Sequence, residues 1–358
     1  MATDQLTAPE AAQDSAAVGS ATSQGADRSV DPKTGYNQSV YLLAVVLTSV
    51  VFPLIWVGGL VTTYDAGMAV PDWPGTYGWN MFAYPVTTWL FGPFDLLVEH
   101  SHRLLGSLAG FLSIGLVIQA WRHDQRRWFT FWSVGVLLAV IAQGALGGAR
   151  VVLDQRTLAM IHGCTGPLFF AIATATAVMS SRWWIEGRRS LTDNAILGRV
   201  NGWIVWGATG LLVSAYLQLI IGAQLRHLTG AVPIKLFKVF VHSHLTMAGL
   251  VFVLAIMTAL ATLIGKAITP RVRRPAILAV GLVFIQIALG IGTWVVNYAL
   301  PWPELYESLA AYTILAKGFW ESLIVTAHVA TGSLIISLSV VVALRAWRTR
   351  TISASSMV

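Results

Sequence analysis

The sequence predicts an all-α integral membrane protein of eight transmembrane helices, arranged as two pseudo-symmetric four-helix bundles. Three observations carry this. Hydrophobic residues make up 56% of the 358 and charged residues only 11%, under half of the roughly 25% charge of a soluble domain. Eight stretches are long enough for a bilayer, which needs about 20 apolar residues each. The tripeptide His100-Ser101-His102 returns as His242-Ser243-His244 at the head of another apolar run. The net charge of +7 reports topology, because basic residues of membrane proteins gather in cytoplasmic loops, and no nucleic-acid partner is expected.

Residues 1–38 are rich in Ala, Ser, Gln, Asp and Gly, hold no apolar run and read as a disordered cytoplasmic tail. They lack both the basic and apolar regions of a signal peptide and the Arg-rich, acid-poor character of a transit peptide. A multi-pass protein of a bacterial inner (cell) membrane is therefore expected. The spans follow at about 40–63, 100–121, 128–149, 157–181, 200–225, 239–265, 275–299 and 322–344. With the N-terminus inside, 16 Lys and Arg residues fall in cytoplasmic segments and six in outer ones, so both termini are placed in the cytoplasm. The first bundle occupies 39–190 and the second 191–348, with a cytoplasmic tail at 349–358.

The halves repeat beyond the histidines. Gln143-Gly144-Ala145-Leu146-Gly147 in the third span returns as Gln286-Ile287-Ala288-Leu289-Gly290 in the seventh. His162, Thr165 and Gly166 in the fourth return as His328, Thr331 and Gly332 in the eighth. Four crossings bring the chain back to its starting side, so parallel repeats are expected. The second half carries extra residues in its last outer loop, around Pro301-Trp302-Pro303.

Topology puts His102, His162, His244 and His328 on the even-numbered spans, which all run from outside to inside, so all four lie toward the outer face. An imidazole in hydrocarbon needs a partner. Two at matched depth in each half suit bis-histidine haem ligation inside a four-helix bundle. For one such residue alone a hydrogen-bonded structural histidine is the plain alternative, and the duplication weighs against it. Zinc is disfavoured, since two histidines per half leave a tetrahedral site short of ligands. His100 and His242 point about 200° away from the histidines two residues on and are given structural roles. His123 sits in a basic cytoplasmic loop, and His227 either caps a haem pocket or faces water. The lone Cys164 can form no intramolecular disulfide and reads as a small residue in a helix contact.

Glu99 breaks the symmetry, because its counterpart is Val241. One site then has an acid poised for chemistry, and the other serves electron transfer or structure. The alternative is a loop-end carboxylate paired with Arg103 at the membrane surface. Arg103, Arg150 and Arg226 lie on the outer side against the positive-inside trend, which makes them candidates to hold haem propionates.

These residues resemble the haem A synthase family, membrane enzymes that convert haem O to haem A for cytochrome oxidase. The resemblance covers about 40–345. It rests on Gly58-Gly59-Leu60-Val61-Thr62, on Ala66-Gly67-Met68-Ala69-Val70-Pro71-Asp72-Trp73-Pro74 and on Glu99 followed by His102-Arg103. Further marks are Ile161-His162-Gly163, Arg226-His227 with Thr229-Gly230, His244, the stretch from Gln286 to Thr293, and His328. It implies that His244 and His328 ligate a b-type haem in the second bundle. It also implies haem O as substrate in the first, framed by Glu99, His102 and His162. The porphyrin methyl is then oxidised to a formyl group by successive hydroxylations, with the acid assisting. Haem O synthase, cytochrome oxidase assembly, the lipid bilayer and an unidentified electron donor are the implied partners. The sequence does not decide between a monomer and a homo-oligomer.

Two departures stand out. The cysteine pair of many bacterial members is replaced by Val70 and by Gly75-Thr76-Tyr77, which removes any thiol-linked step. Tyr64-Asp65 stands where the family more often has Thr and a small residue. A quinol-linked b-type electron carrier would use the same four histidines without needing Glu99, a diverged haem-binding paralogue would keep the haem sites with a changed substrate, and an assembly factor that merely binds haem would not need the ligands for activity. A prenyltransferase is disfavoured, as no pair of Asp-rich motifs occurs.

Overall fold

The computed structural model describes residues 30–31, 35–187, 202–227, 233–264, 270–298 and 318–355. Val30–Asp31 pairs antiparallel with Tyr36–Asn37, so the end of the expected tail is ordered by pairing; the rest of it lies outside the described residues. Asn37 then caps the first helix, its side-chain oxygen accepting the Val40 N–H at 3.0 Å, as an N-cap should. Among the described residues eight long helices follow: α1 Gln38–Thr63, α2 Phe94–His123, α3 Arg127–Val152, α4 Arg156–Ser180, α5 Gly202–His227, α6 Ile234–Ile264, α7 Pro270–Tyr298 and α8 Phe319–Ser355. All eight are long and apolar enough to cross a membrane. The chain is a multi-pass membrane protein.

Packing closes one ring over α1–α4 and another over α5–α8, and α8 also lies against α1 and α4. Within apolar spans the hydroxyls bond back to the preceding turn, as Thr48 does to Ala44, Ser113 to Ala109 and Ser339 to Ile335, which satisfies them where water is absent. Others tie the rings together. Thr174 and Ser337 meet at 2.8 Å, and Thr63 and Thr326 at 3.3 Å.

The second helix begins at Phe94 rather than near 100. Pro93 sets its start and Asp95 lies in its first turn, where a carboxylate meets the positive end of the helix dipole. A count of apolar residues stops at Glu99 and misses these turns. Consequently Glu99, His100, His102 and Arg103 lie well inside the helix instead of at its mouth. At the far end α8 continues to Ser355, so the tail expected from 349 is helical for most of its length. Its extension is held by Arg348, which donates to the Trp184 carbonyl at 3.0 and 3.2 Å. The Pro301-Trp302-Pro303 loop and the Thr229-Gly230 pair fall outside the described residues.

Candidate functional site

The four even-numbered helices bring one histidine each together in pairs. His102 on α2 and His162 on α4 have ring centroids 6.2 Å apart, with planes at 89°. His244 on α6 and His328 on α8 are 6.4 Å apart at 60°. The pairing is the one expected from sequence.

Each imidazole rests on a glycine of the preceding helix. A Cβ placed at Gly58 would come within 2.7 Å of His102 Cε1, at Gly147 within 3.1 Å of His162, at Gly222 within 3.0 Å of His244 and at Gly290 within 3.1 Å of His328. Any side chain larger than hydrogen would push the ring aside at Gly58. Four glycines on α1, α3, α5 and α7 thus form four equivalent cradles, and each is preceded four residues earlier by Gln143, Gln218, Gln286 or, on α1 alone, Leu54. Gln218 and Gln286 lie 3.2 and 3.4 Å from the Nε2 atoms of His244 and His328. Gln143 instead donates to the His162 carbonyl at 3.0 Å and accepts from Thr165 at 2.6 Å. In all four rings Nδ1 is buried without a well-formed hydrogen bond among the described residues, each ring facing the backbone of the residue four before its glycine, Leu54, Gln143, Gln218 or Gln286. Such atoms are costly unless they have a ligand to meet.

Glu99 is 2% exposed and Arg103 8%, and they pair at 2.8 Å. The carboxylate's other oxygen accepts the Val70 N–H at 2.9 Å. Arg103 Nη1 donates to the Asp72 and Gly75 carbonyls at 2.7 and 2.8 Å, and Nη2 to Val70 at 2.7 Å as well as to Glu99. All four terminal N–H groups are taken, and only Nε–H remains. Arg226 donates to the Gly59 carbonyl at 3.2 Å and to Thr63 Oγ1, reaching from α5 to α1 without meeting a carboxylate among the described residues. The Arg150 guanidinium lies over Gly67, 2.4 Å from where a Cβ would stand, and makes no hydrogen bond among the described residues.

His100 is 1% exposed. Its Nδ1 lies 3.3 Å from Thr76 Oγ1, and the rings of Tyr84 and Trp89 stand 5.5 and 4.9 Å away. It is packed against the connection between α1 and α2. His242 is exposed on α6 and bonds its own helix at the Lys238 carbonyl, 2.6 Å away. Sequence reasoning missed the contacts of this connection and the cradle roles of Gly58 and Gly222; the Gln-x-x-x-Gly spacing of Gln218 and Gly222 was a signal for the second, and Gly58, preceded by Leu54, carried none.

Within the connection Asp72 accepts the Tyr77 and Gly78 N–H groups at 2.8 and 2.9 Å, which both point at it because Tyr77 (φ 50°) and Gly78 (φ 77°) are left-handed. Burial alone would raise its pKa, but these N–H groups, with Arg103, bring it below the ordinary carboxylate value. The stability it lends is present above about pH 4, the unfolded value, and lost as pH falls through the lower folded value. Amide protection at Tyr77 and Gly78, corrected for intrinsic exchange, should therefore fall on acidification below that point, and should be low at every pH in Asp72→Ala. Protection that ignores both changes would mean the carboxylate does not order this turn.

A family model described as "Cytochrome oxidase assembly protein" matches residues 41–317. Curated proteins named "Heme A synthase" are similar to this chain. That of Shouchella clausii is 28% identical over 51% of this chain and 58% of its own length. The Lysinibacillus sphaericus protein is 24% identical over 54% and 59%, and the Geobacillus kaustophilus protein 29% over 48% and 50%. The chain thus spans a little over half the length of the curated relatives it matches. With most of its length inside the family model, it belongs to the cytochrome oxidase assembly protein family.

Proposed function

We propose that the protein is a haem A synthase, oxidising the methyl group of haem O to a formyl group by successive hydroxylations. The observation that carries this reading is the duplicated pair of imidazoles on glycine cradles. Iron held between two imidazoles needs ring centres about 6 Å apart, since a metal–imidazole bond is about 2 Å and each nitrogen lies about 1 Å from its ring centre. Both pairs meet that spacing, and each ring keeps a buried Nδ1 without a well-formed hydrogen bond. The residues fit the group.

In this reading the bundle of residues 39–190 takes haem O between His102 and His162, and that of 191–348 holds haem b between His244 and His328. Haem supplies the one-electron and oxygen chemistry that side chains lack. The chain supplies position. Gly58, Gly147, Gly222 and Gly290 let the rings approach, and Gln218 and Gln286 fix the orientation of the second pair, as outer-sphere partners do. Arg150 and Arg226 keep donors available for propionates, whereas Arg103 has only Nε–H left. Glu99 accepts one hydrogen bond on each oxygen, which leaves a further lone pair on each, so the carboxylate can take a proton with both bonds in place. The setting we assign is a bacterial cell membrane with both termini inside and the histidines toward the outer face, in support of cytochrome oxidase assembly.

Co-expression with a haem O producer, followed by mass analysis of extracted haems, tests the activity. Haem A should accumulate. Unchanged haem O alongside an intact reducible b-type spectrum would point to an electron carrier instead.

A further inference from the structure

The connection between α1 and α2, residues 64–93, does not stand away from the helices. Met81 Sδ lies 3.9 Å from Ser107 Oγ, and the Phe82 ring is 5.9 Å from Phe111. Ser107 is five residues beyond His102, about 7 Å further along the axis, so this connection runs down the outside of α2 past the first histidine pair. At its other edge Trp73 presses on Gly148 of α3, where a Cβ would come within 2.4 Å of the indole. It bridges α2 and α3 at the depth of His102. Its outer surface is apolar, with Trp79, Phe82 and Phe91 more than half exposed, as suits contact with lipid.

Irregular backbone at that depth is tolerated only where protein satisfies its polar groups. Glu99, Arg103 and Asp72 do this between them, taking two N–H groups at the turn, one at Val70 and three carbonyls. The ion pair could instead be a simple helix-stabilising i, i+4 contact. The repeat argues otherwise. The two halves share all four histidine–glycine contacts, yet Glu99 and Arg103 correspond to Val241 and Leu245, and there only residues 228–233 join α5 to α6. The half with the long connection is the half with the ion pair.

We propose that Glu99, Arg103 and Asp72 are positioning residues that hold this connection as the lipid-side wall of the first histidine site. The inference rests on reading that site as the one that takes the porphyrin substrate. Glu99 then acts on the site through Val70 and Arg103, not by contact with substrate.

The test places a cysteine at Phe82 in a Cys164→Ser background, in the haem-loaded protein reconstituted into vesicles, and follows labelling by a membrane-impermeant maleimide. Loss of charged hydrogen bonds in Arg103→Gln should raise the labelling rate about tenfold or more, and Tyr77→Phe, which removes one bond to the Ala69 carbonyl, by a smaller factor of about five. Arg103→Lys keeps the charge but not the planar fork and should behave like Gln. Transfer of haem to apomyoglobin should quicken from the first site only, with release from the second unchanged as the internal control. Unchanged labelling in both Arg103→Gln and Tyr77→Phe overturns the wall, and so does raised labelling with no change in release from a loaded first site. Raised labelling in a protein whose first site never takes up porphyrin keeps the wall and removes the substrate reading. Should Arg103→Gln fail to assemble, Tyr77→Phe alone decides, since its ring is 48% exposed and its loss of one hydroxyl leaves the helices intact.

Discussion

Replacing His102 or His162 by alanine is expected to abolish haem A formation while the spectrum of the second histidine pair persists. Each ring faces its partner at 6.2 Å, and no other histidine stands in that pair to replace it. Loss of a direct ligand should exceed the about 10- to 100-fold typical of losing an outer-sphere partner. A gentler variant checks the geometry. Gly58→Ala puts a methyl 2.7 Å from His102 Cε1, so the ring must shift with both nitrogens intact, and a large loss of product would follow from misplacement alone. Extracted haems identified by mass, beside the visible spectrum of the same preparation, read both effects. Wild-type accumulation of haem A in His102→Ala would remove the first pair from the reaction, and loss of all haem from both alanine variants would mean that the two pairs form one shared site.

Much of this site was legible in the sequence because the signal is local. An imidazole in an apolar run is conspicuous, and the repetition of His-Ser-His and Gln-x-x-x-Gly separates a built site from a stray histidine. The eight spans follow from apolar length alone. The glycine cradles were only half legible, since nothing in Gly58 or Gly222 says which ring will lie against it until the helices are packed. Glu99 misled for a physical reason: hydropathy counts a carboxylate as the end of a span, whereas here a guanidinium four residues on and a backbone N–H from a distant segment let it stay inside the helix. The connection between α1 and α2 was illegible because its partners lie 24 to 33 residues away, and irregular backbone carries no period. Its ordering depends on which carbonyls Arg103 can reach.

His244→Ala or His328→Ala should each remove the low-spin, bis-imidazole signature from the purified protein, because that spectrum needs nitrogens from both α6 and α8. Bundles built from facing helices place one ligand on each, and the 6.4 Å between these rings leaves the surviving imidazole without a counterpart. Deleting one ring leaves its glycine, Gly222 or Gly290, facing the space the imidazole filled, with Gln218 or Gln286 still beside it. Free imidazole added to the alanine variants should therefore enter that space and restore part of the low-spin spectrum. This rescue separates a missing ligand from a collapsed bundle, which added imidazole cannot repair. If both variants keep the full bis-imidazole spectrum without addition, His244 and His328 are buried structural histidines, and the second bundle's haem, if it holds one, is bound elsewhere.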